Sequence, residues 1–124
     1  MTVVLTGGER NEQIALPVLL ESGHVKRRGC GRPRLRPGRV AGDKGYSSRT
    51  VRRYLRGRGI GAVIPRRSTE PPQRHFDRAA YRERNHVERL INRFKQYRAI
   101  ATRYDKLAVR YHTALTIAAI LMWL

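Results

Sequence analysis

Residues 39–65 read RVAGDKGYSSRTVRRYLRGRGIGAVIP. Residues 39–43 read as a short strand that ends on Asp43. Lys44, Gly45 and Tyr46 make a turn, and Ser47 or Ser48 can cap the helix that follows. That helix places Val51, Tyr54 and Leu55 on one side, and Arg52, Arg53, Arg56 and Arg58 on a basic face suited to phosphate. Gly57, Gly59 and Gly61 stop it. Residues 62–65 are a second apolar run, bounded by Pro65. Strand, helix and strand in this order predict parallel pairing in an α/β layer.

Upstream, residues 2–6 (TVVLT) read as a short buried strand and residues 7–10 as a turn. Ile14, Ala15, Val18 and Leu19 recur at helix spacing within residues 11–22, interrupted by Pro17 and closed by Gly23. Residues 26–38 form a loop rich in Pro, Gly and Arg. Downstream, a polar loop covers residues 66–75, a long helix runs from 78 to about 101, and a last helix from about 106 to 124. The last helix, with Ile117, Ile120, Leu121 and Trp123, is expected to pack on the sheet. Left uncovered, it would be a sticky surface. Three short strands make a small sheet, as in the back half of a larger α/β domain.

The 124 residues carry a net charge of +18, from 27 basic and 9 acidic side chains. Such a charge repels itself and favours an anionic partner, nucleic acid above all, because clustered cations release counterions from phosphate. A hydrophobic fraction of 40% supports a modest core and excludes outright disorder. One cysteine, Cys30, excludes an internal disulfide and cannot by itself make a metal site. The apolar run at 114–124 is about half the length that spans a bilayer. No charged n-region or apolar h-region opens the chain, so a cytoplasmic location is expected.

Tyr81, Arg84, Glu88 and Lys95 follow the pattern Y-x2-R-x3-E-x6-K in YRERNHVERLINRFK. At about 100° per residue the four fall within an arc of roughly 60°. Val87, Leu90, Ile91 and Phe94 fall on a second stripe, centred roughly 100° away. One face can bury itself while the other holds a carboxylate among cations, as a metal-dependent site on a phosphate backbone requires. Asp43, at the carboxyl end of a strand, is the second acid of interest. It can meet Glu88 if the long helix packs beside the strand. Each also has a plainer reading. An Asp before a glycine turn caps that turn, and Glu88 can pair with Arg84 or Asn92 along the helix.

The chain resembles the C-terminal part of an insertion-sequence DDE transposase of the insertion-sequence-5 or insertion-sequence-4 type. The likeness covers nearly the whole chain. It rests on LTGGERNEQ, AGDKGYSSRTVRRYL, IPRR, YRERNHVERLINRFKQYRAIATRYDK and TALTIAAILMWL. It implies an RNase H-like fold in which three acids bind two divalent ions, Mg²⁺ or Mn²⁺. Asp43 would be the second acid and Glu88 the closing one. Lys44, Tyr81, Arg84 and Lys95 would contact DNA. The implied chemistry is hydrolysis at an element end, then attack of the freed 3′-OH on target DNA. The implied partners are double-stranded DNA, at element ends and target, and an upstream transposase segment or full-length transposase, in the bacterial nucleoid.

The resemblance places the family's first Asp upstream of MTVVLT, and no Asp precedes Asp43. Glu9, Glu12 and Glu21 are the earlier acids. Glu12 stands where the family often has Asp, and is not read as a substitute. Two of three ligands should hold metal weakly, so this chain alone is expected to be inactive. A decayed remnant, a late start and the second frame of a frameshifted transposase remain open as origins. So do two non-catalytic readings, a basic DNA-binding protein and a truncated transposase regulator.

Overall fold

The structure, a computed structural model, describes residues 2–8, 11–24, 29–102 and 105–124. Parts of the expected turn at 7–10 and loop at 26–38, with Glu9 and Lys26, lie outside these residues. The chain divides into two compact units, Met1–Arg82 and Glu83–Leu124.

The first unit is built on a strand–helix–strand crossover. β1 (Arg39–Ala41) and β2 (Gly61–Val63) pair in parallel, with Arg39 opposite Gly61, Val40 opposite Ala62 and Ala41 opposite Val63. α2 (Arg49–Gly57) connects them, as a parallel pair requires a crossover. The Ser48 hydroxyl accepts the Val51 N–H at 3.2 Å and caps α2. At the other end Gly59 adopts φ +64°, the left-handed conformation that glycine takes without strain. The Gly59 N–H then reaches the Arg56 carbonyl at 3.0 Å and the Ile60 N–H the Leu55 carbonyl at 2.9 Å. This is the paired closure of a Schellman end, with Ile60 and Leu55 in one apolar cluster.

That cluster is the core of the unit: Leu16, Val51, Leu55, Ile60 and Ile64, flanked by Leu20, Val40, Tyr46, Tyr54 and Ala62. Leu16 and Leu20 come from α1 (Ala15–Ser22), which follows a 3₁₀ turn at Glu12–Ile14. Pro17 falls in the first turn of α1, where a missing N–H costs no intrahelical bond. The expected apolar face of this helix is corrected. Ile14 and Val18 are exposed, and the Leu16/Leu20 pair is what buries. The segment is apolar nearly all round, so periodicity alone does not choose a face.

The expected strand at residues 2–6 does not form, although residues 3–6 are half-buried. β-branched residues supply propensity but not a neighbour. The two-stranded sheet is β1 with β2. Among the described residues the architecture is therefore mixed α/β with a small parallel sheet.

The expected single helix over 78–101 is three: α3 (Arg78–Glu83), α4 (Asn85–Lys95) and α5 (Arg98–Ala101). Asp77 starts α3, its carboxylate accepting the Ala80 N–H at 2.9 Å and pairing with Arg39 at 2.8 Å. Tyr97 is extended (φ −80°, ψ 107°) and turns the chain between α4 and α5. This corner lets Phe94 and Ile100 bury together with Ala118 of α6 (Ala108–Trp123). Leu90, Tyr97, Tyr111, Leu115, Ala119 and Met122 complete that cluster. On α4, Phe94 and Leu90 join it as expected, whereas Val87 and Ile91 stay exposed. On α6 the buried stripe is 111/115/118/119/122. Ile117, Ile120, Leu121 and Trp123, the residues expected to pack, are exposed, Trp123 to 83%.

Candidate active site

Asp43 lies two residues beyond β1 and opens the 3₁₀ turn Lys44–Tyr46. Its Oδ1 accepts the Gly45 N–H at 2.9 Å. A Cβ at Gly45 would meet Asp43 Oδ1 at 2.9 Å, so any larger residue there would displace that carboxylate oxygen. The carboxylate is solvent-exposed, and with Oδ1 engaged Oδ2 remains to take a ligand. The Tyr46 phenol beside it is held above its ordinary pKa, first by burial and then by the negative charges of Glu12 and Asp43.

The turn is braced from two further segments. Arg67 donates Nε to the Lys44 carbonyl and Nη2 to the Gly45 carbonyl, both at 3.0 Å. Gln13 donates Nε2 to the Gly45 carbonyl at 2.5 Å. Ser47, buried at the end of the turn, donates its hydroxyl to Glu70 Oε2 at 2.5 Å and accepts from Arg52 at 2.8 Å. Glu70 Oε2 also takes the Arg67 N–H at 3.1 Å. None of Gln13, Ser47, Arg67 and Glu70 was expected at a site. The only sequence signal for Gln13, Ser47 and Arg67 was their place in the family-like stretches NEQ, GDKGYSS and IPRR, and Glu70, three residues beyond IPRR, carried none.

The Ser47 hydroxyl first, then the Arg67 N–H and the Arg52 guanidinium, hold the Glu70 carboxyl below its ordinary value of 4.5. A folded pKa below the unfolded one contributes stability above the unfolded value and loses it as pH falls through the folded value. Ser47→Ala should therefore destabilise the protein by about 1 kcal/mol at pH 7. Its deficit against wild type should shrink as urea midpoints are taken at pH values falling below 4.5. A deficit independent of pH would rule out Glu70 as the partner.

The expected basic face of α2 is corrected as well. Arg53 and Arg56 are exposed. Arg52 turns inward to Ser47 and the Ile64 carbonyl at 3.0 Å, near Glu70. Arg58 reaches Glu21 at 3.3 Å and lies over the Tyr54 ring. Arg52 thus ties α2 to the loops on either side of it, and Arg58 ties the end of α2 to α1.

In the second unit, Glu88 sits in the first turn of α4 and Lys95 at its exposed end. Arg84 forms an ion pair with Glu88 one helical turn away. Arg84 precedes α4 with helical backbone angles (φ −55°, ψ −24°), and its carbonyl accepts the Glu88 N–H at 3.2 Å. Tyr81, on α3, packs its ring against Phe76, with centroids 5.4 Å apart. The structure thus joins Arg84 to Glu88. Asp43, Lys44 and Tyr81 belong to the first unit, and Arg84, Glu88 and Lys95 to the second. Exposed carboxylates are hard oxygen donors of the kind Mg²⁺ takes one or two of while keeping waters. Asp43 has that chemistry with an oxygen to offer. Among the described residues, no three His, Cys, Asp or Glu side chains gather as a metal cage.

Residues 40–124, which contain both acids, match the family described as transposase DDE domain. The chain belongs to that family. It is also 40% identical over 70 residues to a Burkholderia cepacia protein provisionally assigned as the transposase for insertion sequence element IS402. That stretch is 56% of this chain and 33% of the relative, so the chain spans about a third of the curated relative it matches. No solved structure matches. Among the described residues no helix is long and apolar enough to cross a membrane.

Proposed function

We propose that this chain supplies two of the three catalytic acids of an insertion-sequence transposase of RNase H-like fold. In this reading Asp43 and Glu88 hold divalent Mg²⁺ or Mn²⁺. The family match over the residues that carry both acids is the observation that supports it most. The exposed Asp43 carboxylate just beyond a parallel strand adds to it. A divalent ion, when bound, polarises the scissile phosphate and makes a water more acidic. Asp43 presents Oδ2 from a turn whose Oδ1 is already fixed. Arg84 orients the Glu88 carboxylate through their ion pair. Lys44, Tyr81, Arg84 and Lys95 contact the phosphates of element ends and target, and the exposed Arg53 and Arg56 add sequence-independent attraction. The third acid comes from an upstream segment supplied as a separate chain or within a longer one.

A strand-transfer assay tests this. A supercoiled plasmid target, a labelled element end and Mg²⁺ are mixed with this chain, with an upstream transposase segment, or with both. Joined product should require both polypeptides, and residues 1–124 alone should give none. Product from neither alone nor together would remove the catalytic reading. A second reading, a non-catalytic basic DNA-binding protein or a truncated regulator, draws on the +18 charge and on a Glu88 already paired with Arg84. It predicts DNA affinity that falls steeply with salt, ignores Mg²⁺ and survives Glu88→Gln.

A further inference from the structure

The reading of Asp43 as a metal ligand leaves open what holds its turn in place. Building on that reading, we propose that Arg67 is a positioning residue for the Asp43 carboxylate. The turn Lys44–Tyr46 is only three residues long, and its backbone is exposed at Lys44 and Gly45. A short exposed turn has little packing to fix its peptide planes. Arg67 supplies a fork instead: one guanidinium binds two successive carbonyls, those of Lys44 and Gly45. Fixing these two carbonyls fixes the peptide between them, and so the direction of the Gly45 N–H. That N–H is the donor that captures Asp43 Oδ1. The orientation of Oδ2 follows from it.

Arg67 is itself held. Its backbone N–H donates to Glu70 Oε2, and the same oxygen takes the Ser47 hydroxyl from the far end of the turn. Glu70 is drawn back by its own N–H to the Arg67 carbonyl at 3.0 Å, and Arg66 binds the Glu70 carbonyl at 2.8 Å. The chain therefore closes a ring: turn to Ser47, Ser47 to Glu70, Glu70 to Arg67, and Arg67 back to the turn. Residues holding a ligand from behind set metal affinity by orientation, and their loss costs about 10–100-fold. Lysine cannot replace the fork, because an ammonium is a point donor.

The sign of the effect separates positioning from charge. If Arg67 acted only as a nearby cation, its removal would tighten binding of a divalent cation at Asp43. If it positions the carboxylate, removal weakens binding. The test is a Mn²⁺ titration of ¹⁵N-labelled chain, read by paramagnetic broadening of the Asp43 and Gly45 amide resonances, with the Gly45 amide proton shift recorded before metal is added. Arg67→Ala is expected to weaken Mn²⁺ binding about tenfold and to move the Gly45 amide proton upfield as its hydrogen bond is lost. Equal or tighter Mn²⁺ binding in a folded Arg67→Ala protein overturns the proposal. Should Arg67→Ala fail to fold by circular dichroism, Arg67→Lys makes the same comparison. Failure of both to fold assigns Arg67 to the fold and also overturns it. Asp43→Asn is the control for the underlying reading. If broadening at Gly45 persists in Asp43→Asn, Asp43 is not the ligand, and the metal-free Gly45 shift alone then decides the role of Arg67.

Discussion

Asp43→Asn and Glu88→Gln, tested singly in the two-polypeptide strand-transfer reaction, should each reduce joined product by roughly 10³-fold or more, the scale of removing one member of a catalytic unit. Both substitutions keep shape and hydrogen-bonding capacity while removing the negative charge that a divalent ion needs. Asp43→Asn should preserve the turn, because the amide oxygen can still accept the Gly45 N–H now held by Oδ1. Glu88→Gln breaks an exposed i,i+4 ion pair, which is worth a few tenths of a kcal/mol, so α4 should survive it. DNA affinity should hold or rise in both variants, since each removes a charge that repels phosphate. Loss of chemistry with binding retained is the pattern that distinguishes ligands from anchors. If either variant keeps activity within about threefold of wild type, that acid is only a cap or an ion-pair partner.

Leu55→Ala should cost about 3 kcal/mol, the mid-range for a truncated buried leucine. Leu55 is fully buried at the centre of the first unit's cluster, on the inner side of α2 beneath Ile60 and Ile64. The same residue supplies the carbonyl that receives the Ile60 N–H at the Schellman end, so a cavity there sits next to the start of β2. A domain's total stability is only about 5–15 kcal/mol, and this loss removes a large share of it. Urea unfolding followed by circular dichroism should show the midpoint fall. Trp123→Ala, a larger truncation at a position 83% exposed, should move it by less than about 0.5 kcal/mol. A Leu55→Ala shift no larger than that of Trp123→Ala would mean the cluster is not close-packed.

Much of the first unit was legible in residues 39–65. Asp43 before a glycine turn, Ser48 before an amphipathic run and Gly59 after it each act on backbone groups within a few residues. Their consequences can be read locally, and the strand–helix–strand order follows. The sequence reading failed where a neighbour was required. Residues 2–6 have the composition of a strand, but no strand pairs with them among the described residues. Residues 78–101 keep a helical pattern through a place where the chain turns at Tyr97 to bring Ile100 against Phe94. The arginines of α2 look alike in sequence, yet Arg52 is bound inward and Arg58 pairs with Glu21 at the surface, while Arg53 and Arg56 are exposed.

The candidate site divides the same way. The amino-acid order by itself determined that Asp43 would stand on a turn after a short strand, that Glu88 would ride a helix one turn from Arg84, and that the molecule would carry a large positive charge. These depend on covalent spacing and on hydrogen bonds a few residues long. Only the tertiary structure decided that Arg67, 23 residues beyond Lys44, and Gln13, 32 before Gly45, would grip the turn under Asp43. Only it decided which side of α1 and α6 would be buried. Side chains that meet across such separations are selected by packing of the whole unit, and no local periodicity encodes that choice.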